Sequence, residues 1–337
     1  MAHDSGRPGA VSRRVLFGAS AALGAGLLPG AARAQGFPTQ PVRVIVPFAA
    51  GGGVDIVARL LMEPMRERLG QPIIVENRAG AGGQIGANAV VRATPDGHTI
   101  LLSSAGEVAL APSLYGDRLP YNPATGLAPI TLVVAIPNVL VVGADVPARN
   151  MGELLALARA RPGELTYATA GVGNLQHLNG ELFNRVARAD TRHVPYRGTG
   201  PALQDVLAGR VTMTYAGLPA LLPLIREGRL RALGVTSRTR MEAIPDVPAI
   251  AEHPELTAYE LTNWFAAFAP AGTPEAALDR LHAAITASLG IPDVARQLNA
   301  QGAIPSPMPR AEFARFVAAE TEKLTRIVRD ANIRLES

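Results

Sequence analysis

The chain is 337 residues long, with 48% hydrophobic residues, 18% charged residues and a formal charge of +4 at neutral pH. That apolar share excludes a disordered or fibrous chain, and an aromatic share of 4% argues against a stacking platform for single-stranded nucleic acid. Cysteine is absent, which removes disulfides, zinc-thiolate centres, iron–sulfur clusters and thiol catalysis.

The first segment reads as an export signal. Ser12-Arg13-Arg14-Val15-Leu16-Phe17 opens a small, apolar stretch that runs to Leu28. Pro29 and Gly30 break it, and Ala32-Arg33-Ala34 supplies the small-x-small pattern that a signal peptidase accepts. The arginine pair after a serine favours the twin-arginine route, with Phe17 one place later than the usual pattern. A membrane span needs about 20 apolar residues, and this run is shorter. Residues 1–34 are therefore expected to be removed, leaving a periplasmic chain of 303 residues that starts at Gln35. Arg7, Arg13, Arg14 and Arg33 leave with Asp4, which takes the formal charge from +4 to +1. The other arginines are dispersed, so no nucleic-acid partner is expected. Lys323 is the only lysine, which excludes a Walker-type phosphate loop and Schiff-base chemistry elsewhere.

From Val42 the chain alternates strand and helix patterns. Val42 to Phe48 is a β-branched apolar run that reads as a buried strand, and Ile56, Val57, Leu60, Leu61 and Met65 give the next stretch a helical face. Ile73 to Glu76 and Thr99 to Ser103 are further strands, with a glycine-rich loop and a helix between them. The pattern predicts a mainly parallel sheet covered on both faces. Val133 to Val142 is a long apolar segment broken by Pro137, after which a second series begins. It holds a helix over Met151 to Arg161, a strand over Thr166 to Thr169 and a helix over Leu175 to Val186. Strands near His193 and over Val211 to Tyr215 follow, and Leu233-Gly234-Val235 precedes a proline-rich stretch. Asn263 to Phe268 is again a strand, and periodic helices cover Pro274 to Leu289 and Arg310 to Ile327. A chain that leaves one α/β unit, builds another and returns makes two lobes joined by two hinge strands. The expected lobes are 35–136 with 262–337, and 137–261, with any ligand in the crevice between them.

Three loops have the chemistry to hold a ligand. Phe48-Ala49-Ala50-Gly51-Gly52-Gly53-Val54-Asp55 joins a strand to a helix start, where unpaired N–H groups favour an anion. The same glycines would equally serve a tight turn with positive φ. Asp55 suits the positive helix end but has no evident partner as a general base. Ala168 to Asn174 is the second loop; Thr169 and Asn174 add polar side chains to Ala170, Gly171 and Gly173, and Asn174 equally suits a plain N-cap. His177, one turn further on, reads as a packed histidine more readily than a catalyst. The third loop is His193 to Gly198, where Arg197 would clamp a carboxylate or pair with a surface acid. His98, His177, His193, His253 and His282 stand singly, GxSxG and HExxH are absent, and no metal, cofactor or catalytic set is expected.

Six ordered motifs carry a resemblance over residues 37–330. They are Pro41 to Asp55, Glu76 to Gly83, Thr94 to Thr99, His193 to Gly198, Pro245 to Pro248 and Ala269 to Pro274. In that order they resemble the Bug/TctC-type solute-binding proteins, the receptors of tripartite tricarboxylate transporters. The resemblance implies the two-lobed periplasmic binding fold of the second topological class and a non-enzymatic, monomeric receptor. It also implies integral membrane transporter subunits as partners, and a small organic carboxylate, amino acid or amide as ligand. Carried over by position, the ligand-binding residues are Phe48, Ala50, Gly51, Gly52, Gly53, Asp55, Ser104, Thr169, Ala170, Gly173, Asn174, Tyr196, Arg197 and Gly217. Alternatives are a periplasmic hydrolase or transferase recruiting Asp55, Ser103, Ser104 and His177, or a ligand sensor signalling to a membrane partner.

Overall fold

A computed structural model describes residues 1–3, 6, 36–48, 50–196 and 199–334. Residues 4–5 and 7–34 of the expected export segment, with Gln35, Ala49, the Arg197-Gly198 pair and residues 335–337, lie outside the described residues. Residues 37–334 belong to one unit.

Strand β1 (Val42–Val46) leads through the glycine loop into helix α1 (Gly53–Leu69), which stops at Gly70 in the left-handed conformation, φ 71°. Glycine pays no Cβ penalty there, and its N–H bonds back to Arg66 O. Strand β2 (Ile73–Asn77), helix α2 (Gln84–Val91) and strand β3 (Thr99–Ser104) follow. A π-helical turn at Gly106–Leu110 then runs into α3 (Ala111–Tyr115), and the short α4 (Pro123–Gly126) precedes β4 (Leu127–Ile136). Pro137, which lacks an N–H, separates β4 from β5 (Asn138–Gly143).

The second series comprises α5 (Met151–Ala160), β6 (Thr166–Thr169), α6 (Leu175–Ala187), β7 (Arg192–Pro195), α7 (Thr199–Leu207) and β8 (Met213–Gly217). It ends with α8 (Leu218–Arg226) and β9 (Leu230–Val235). After a connector, β10 (Asn263–Pro270), α9 (Glu275–Leu289), α10 (Pro292–Ala300), β11 (Ile304–Pro305) and α11 (Arg310–Asp330) complete the chain.

Among the described residues the strands form two sheets, ordered β11-β4-β10-β3-β1-β2 and β7-β6-β8-β5-β9. The expectation of mainly parallel pairing holds for β1 with β2 and β3, and for β6 with β7 and β8. It fails at β10 and β5, which run antiparallel to both neighbours. The reason is topological. Each of these strands brings the chain in from the other lobe, so it enters at the edge where its neighbours end and must run against them.

The registers locate that edge. Phe265 on β10 pairs with Ser104 at the end of β3, and Asn263 pairs with Ile136 at the end of β4. In the second sheet, Asn138 at the start of β5 pairs with Gly217 at the end of β8, and Val139 pairs with Val235 at the end of β9. The carboxyl ends of β1, β3, β6, β7 and β8 therefore all lie on the sheet edges where the chain crosses between lobes.

Alternation along the strands sorts the core. Val42, Val44 and Val46 face α1 and α9, packing with Val57, Leu61, Leu278 and Ile285. Val139 and Val141 face the α7–α8 side with Val206 and Leu221. The opposite faces share one continuous cluster, which runs from Ile45 and Leu101 through Trp264, Phe313 and Leu324 to Leu140, Tyr167 and Phe183. The lobes are thus joined by apolar packing along one side as well as by the two crossings.

Candidate binding cleft

Because α1, α6 and α8 each follow a strand that ends at the crossing edge, their N-termini point there as well. An unpaired helix N-terminus carries partial positive charge and free N–H groups. At α1 the first intrahelical bond is Ile56 N–H to Gly52 O (2.9 Å), which leaves the N–H groups of Gly53, Val54 and Asp55 at the helix end without a side-chain cap. Gly217 likewise starts α8 without a side-chain cap. Helices α5 and α9 follow the reversed strands β5 and β10, so their N-termini lie at the opposite edges. The crossing edges are electropositive through backbone alone.

The glycine loop satisfies both of its sequence readings, at different residues. Gly51 has φ +81°, the turn requirement, whereas Gly52 is extended at φ −74° and ψ 164°. Asp55 sits in the first turn of α1, at the helix end as expected. Its side chain is 2% exposed and is turned into the loop. Oδ2 accepts Gly51 N–H (2.8 Å) and Arg59 Nε (2.9 Å), and Oδ1 accepts Asn77 Nδ2 (2.9 Å). Burial alone would raise its pKa, but these three donors outweigh it and hold the carboxyl down at about 2. Asn77 also donates to Phe48 O (3.0 Å), so Asp55 and Asn77 pin both ends of the loop. Ala50, Gly51 and Gly53 remain at least partly open to solvent. Asn77 sits inside a motif of the resemblance, yet its role is a contact 22 residues long in sequence that no local pattern signals.

Ser104 ends β3 as expected, but its hydroxyl is engaged locally, donating to Glu107 Oε2 (3.0 Å) and accepting Gly106 N–H (3.1 Å). The same carboxyl oxygen receives Ser103 Oγ (2.6 Å) and Ser104 N–H (2.9 Å). Glu107 is 2% exposed, and burial raises its pKa against the pull of these serine donors. Sequence reading missed it, because the π-helical turn that carries it inward has no periodicity of its own.

The second loop spends several donors on itself. Ala170 N–H goes to Gln176 Oε1 (2.7 Å), Gly171 N–H to Thr169 Oγ1 (3.3 Å) and Gly173 N–H to His177 Nδ1 (3.1 Å). Asn174 takes the plain role, capping α6 by accepting His177 N–H (3.0 Å). Of the residues expected to offer backbone N–H groups, Ala170 and Gly173 are thus internally satisfied, while Leu175 and Gln176 at the α6 end are not capped in this way. Tyr196 bonds through its backbone N–H to Thr169 O (2.9 Å) and through its hydroxyl to Asp205 (2.6 Å). Arg197 lies outside the described residues.

A cavity of about 420 Å³ lies elsewhere, where Thr239–Ala243 meets Asn299 and Ile304, and it includes none of these residues. Its one arginine, Arg240, is already paired with Glu252 at 2.6 Å. An anion would find more free donors at the glycine loop.

Residues 57–333 match the family described as the tripartite tricarboxylate transporter family receptor. The protein BugT of Bordetella pertussis is 37% identical over 306 residues, covering 90% of this chain and 93% of its own. The R. palustris protein Rpa4515, solved with adipate, is 34% identical with a TM-score of 0.77, over 88% of this chain and 99% of that one. MatC from Rhodopseudomonas palustris, solved with bound malate, is 34% identical with a TM-score of 0.72, over 87% and 100%.

Proposed function

This chain belongs to the tripartite tricarboxylate transporter receptor family, and from that premise we propose that it is a periplasmic receptor that captures a small organic carboxylate between its lobes. The observation that carries this reading is the uncapped start of α1, where Gly53, Val54 and Asp55 present N–H groups at the crossing edge. Each hydrogen bond to a charged group contributes about 1.5–3 kcal/mol, so three of them offset the desolvation of one carboxylate without a buried cation. Adipate and malate in two relatives support the class, and a dicarboxylate suits a cleft with helix N-termini on both lobes.

The ligand-binding set is drawn from Phe48, Ala50, Gly51, Gly52 and Gly53 and the backbone of Val54 and Asp55 on one lobe, and from the α6 and α8 starts, with Gly217, on the other. A receptor accounts for the site better than a hydrolase does. Ser103 and Ser104 give their hydroxyls to a buried acid, Asp55 is saturated and His177 caps a loop, so each potential recruit already has a structural task. Delivery to integral membrane transporter subunits, export through residues 1–34 by the twin-arginine route, and action as a monomer complete the proposal.

Native mass spectrometry of freshly purified protein is expected to show a co-purified organic acid, and calorimetry to show adipate or malate binding. A bare mass together with no heat from a panel of mono-, di- and tricarboxylates overturns the reading. Amino-terminal sequencing of the periplasmic form is expected to begin at Gln35.

A further inference from the structure

Two histidines 16 residues apart in sequence meet beneath the second loop. The His177 and His193 rings stack with centroids 3.8 Å apart and planes 13° apart, and Tyr167 lies beside the pair, its ring 5.1 Å from His193 and 6.4 Å from His177. The Tyr167 hydroxyl donates to Glu181. Gly180 makes room for this layer, since a Cβ there would sit 2.2 Å from the Tyr167 ring. The stack is therefore fixed from α6, β6 and β7 at once.

Each histidine reaches outward to one end of the loop. His177 Nδ1 accepts Gly173 N–H at 3.1 Å, and His193 Nε2 lies 2.6 Å from Thr169 Oγ1. Thr169 donates its own proton to Gly171 O (2.7 Å), so its oxygen must receive the His193 proton. These partners require the neutral Nε2–H tautomer at His177, whose Nδ1 accepts, and a proton on Nε2 at His193. Within residues 170–173 no backbone–backbone hydrogen bond is made among the described residues, while Gly171 at φ +145° and Gly173 at φ +71° need outside support.

We propose that His177 and His193 form a stacked clamp that positions loop 169–174 for ligand capture. The clamp rests on the reading of that loop as part of the binding cleft. It is made of positioning residues, and its hold on Gly173 depends on a neutral His177 ring. A protonated imidazole has no acceptor, so a proton on His177 Nδ1 sets two N–H groups face to face and releases Gly173. The ionisable groups facing the pair are Glu181 on α6 at 3.7 Å from His177 and Tyr167 on β6, with Tyr215 on β8 against the Tyr167 ring. Burial, with His177 alongside, pushes His193 down to about 4, which keeps it neutral at ordinary pH.

Amide substitutions separate a clamp from mere packing. An Asn side chain places its oxygen near Nδ1 and a Gln side chain places its nitrogen near Nε2. His177→Asn and His193→Gln therefore preserve the two contacts, whereas His177→Gln and His193→Asn misplace them. The matched pair is expected to retain adipate or malate affinity and slow amide exchange at Gly171 and Gly173. The mismatched pair is expected to lose about tenfold in both. Equal losses in all four overturn the clamp. Nitrogen-15 spectra of the wild-type rings test it without any variant: Nε2–H at both histidines is expected, and Nδ1–H at His177 overturns it. If the wild type binds no carboxylate, the receptor reading fails, while exchange in the free protein still decides the clamp.

Discussion

Asn138 and Thr236 are bonded to each other in both directions across the two chain crossings. Thr236 N–H donates to Asn138 O and Asn138 N–H donates to Thr236 Oγ1, each at 2.9 Å. Leu261 N–H adds a bond to Thr236 O at 3.1 Å, so the outgoing and returning segments are fastened at one buried residue. Thr236→Val keeps the shape and leaves Asn138 N–H without a partner. A loss of about 1–3 kcal/mol follows, read as a lower urea midpoint at unchanged slope. An unchanged midpoint contradicts it.

Asp55 makes stability depend on acid. Its folded pKa of about 2 lies below the ordinary 3.8, so its contribution is present above pH 4 and disappears as pH falls through 2. The shift corresponds to about 2 kcal/mol. Urea unfolding between pH 5 and 2 is expected to show this slope in the wild type and not in Asp55→Asn, which also loosens the glycine loop and weakens binding.

Glu107 has the opposite sign. Burial raises its folded pKa, so the carboxyl destabilises the fold increasingly as pH rises from its unfolded range through the folded value. The melting temperature of Glu107→Gln relative to wild type is expected to rise from pH 5 to pH 8. A difference that is constant or shrinks shows that the serine donors outweigh burial.

The glycine loop separates strain from access. Gly51→Ala meets no atom within 4 Å but places a Cβ at φ +81°, costing about 1 kcal/mol of stability. Gly52 is extended, so Gly52→Val carries no such strain and acts by blocking approach to the α1 start. Calorimetry is expected to show that Gly52→Val weakens binding more than Arg197→Ala does. If Arg197→Ala abolishes binding while Gly52→Val matches wild type, an arginine holds the carboxylate instead.

Ligand binding is expected to draw the lobes together, seen in solution scattering as a smaller radius of gyration with saturating adipate or malate. Trp264 is an insensitive reporter of that motion. Although it sits beside the second crossing, it is buried against Phe313 and Phe316 and its indole N–H donates to Glu320 at 3.2 Å. Its emission maximum is expected to stay constant while the radius shrinks; identical scattering profiles rule out closure.

Local chemistry was readable wherever one segment decides its own fate. The β-branched run from Val42, the strand over Thr166 to Thr169 and the cap at Asn174 all declare themselves in a few residues. Pro137 marked the first crossing because a missing N–H interrupts any ladder. Long-range relationships were not readable. The reversed direction of β5 and β10 depends on where the chain re-enters, and β11 is two residues whose only cause is its partner β4. Within the site, the glycine spacing showed a turn but not that Asp55 closes it with Asn77. Two isolated histidines gave no sign that they stack.

The interleaving of the sheets sets an order of assembly. The β5–β9 sheet is continuous in the chain, whereas β10, seated between β3 and β4, arrives more than 120 residues after β4 ends. During synthesis the second lobe can close while the first still lacks its middle strand, with Leu101 and Leu132 uncovered. Slow, non-local closure follows from such pairing. Pulsed hydrogen exchange during refolding is expected to protect amides of β6 and β8 before those of β3. Simultaneous protection shows that the shared core condenses as one.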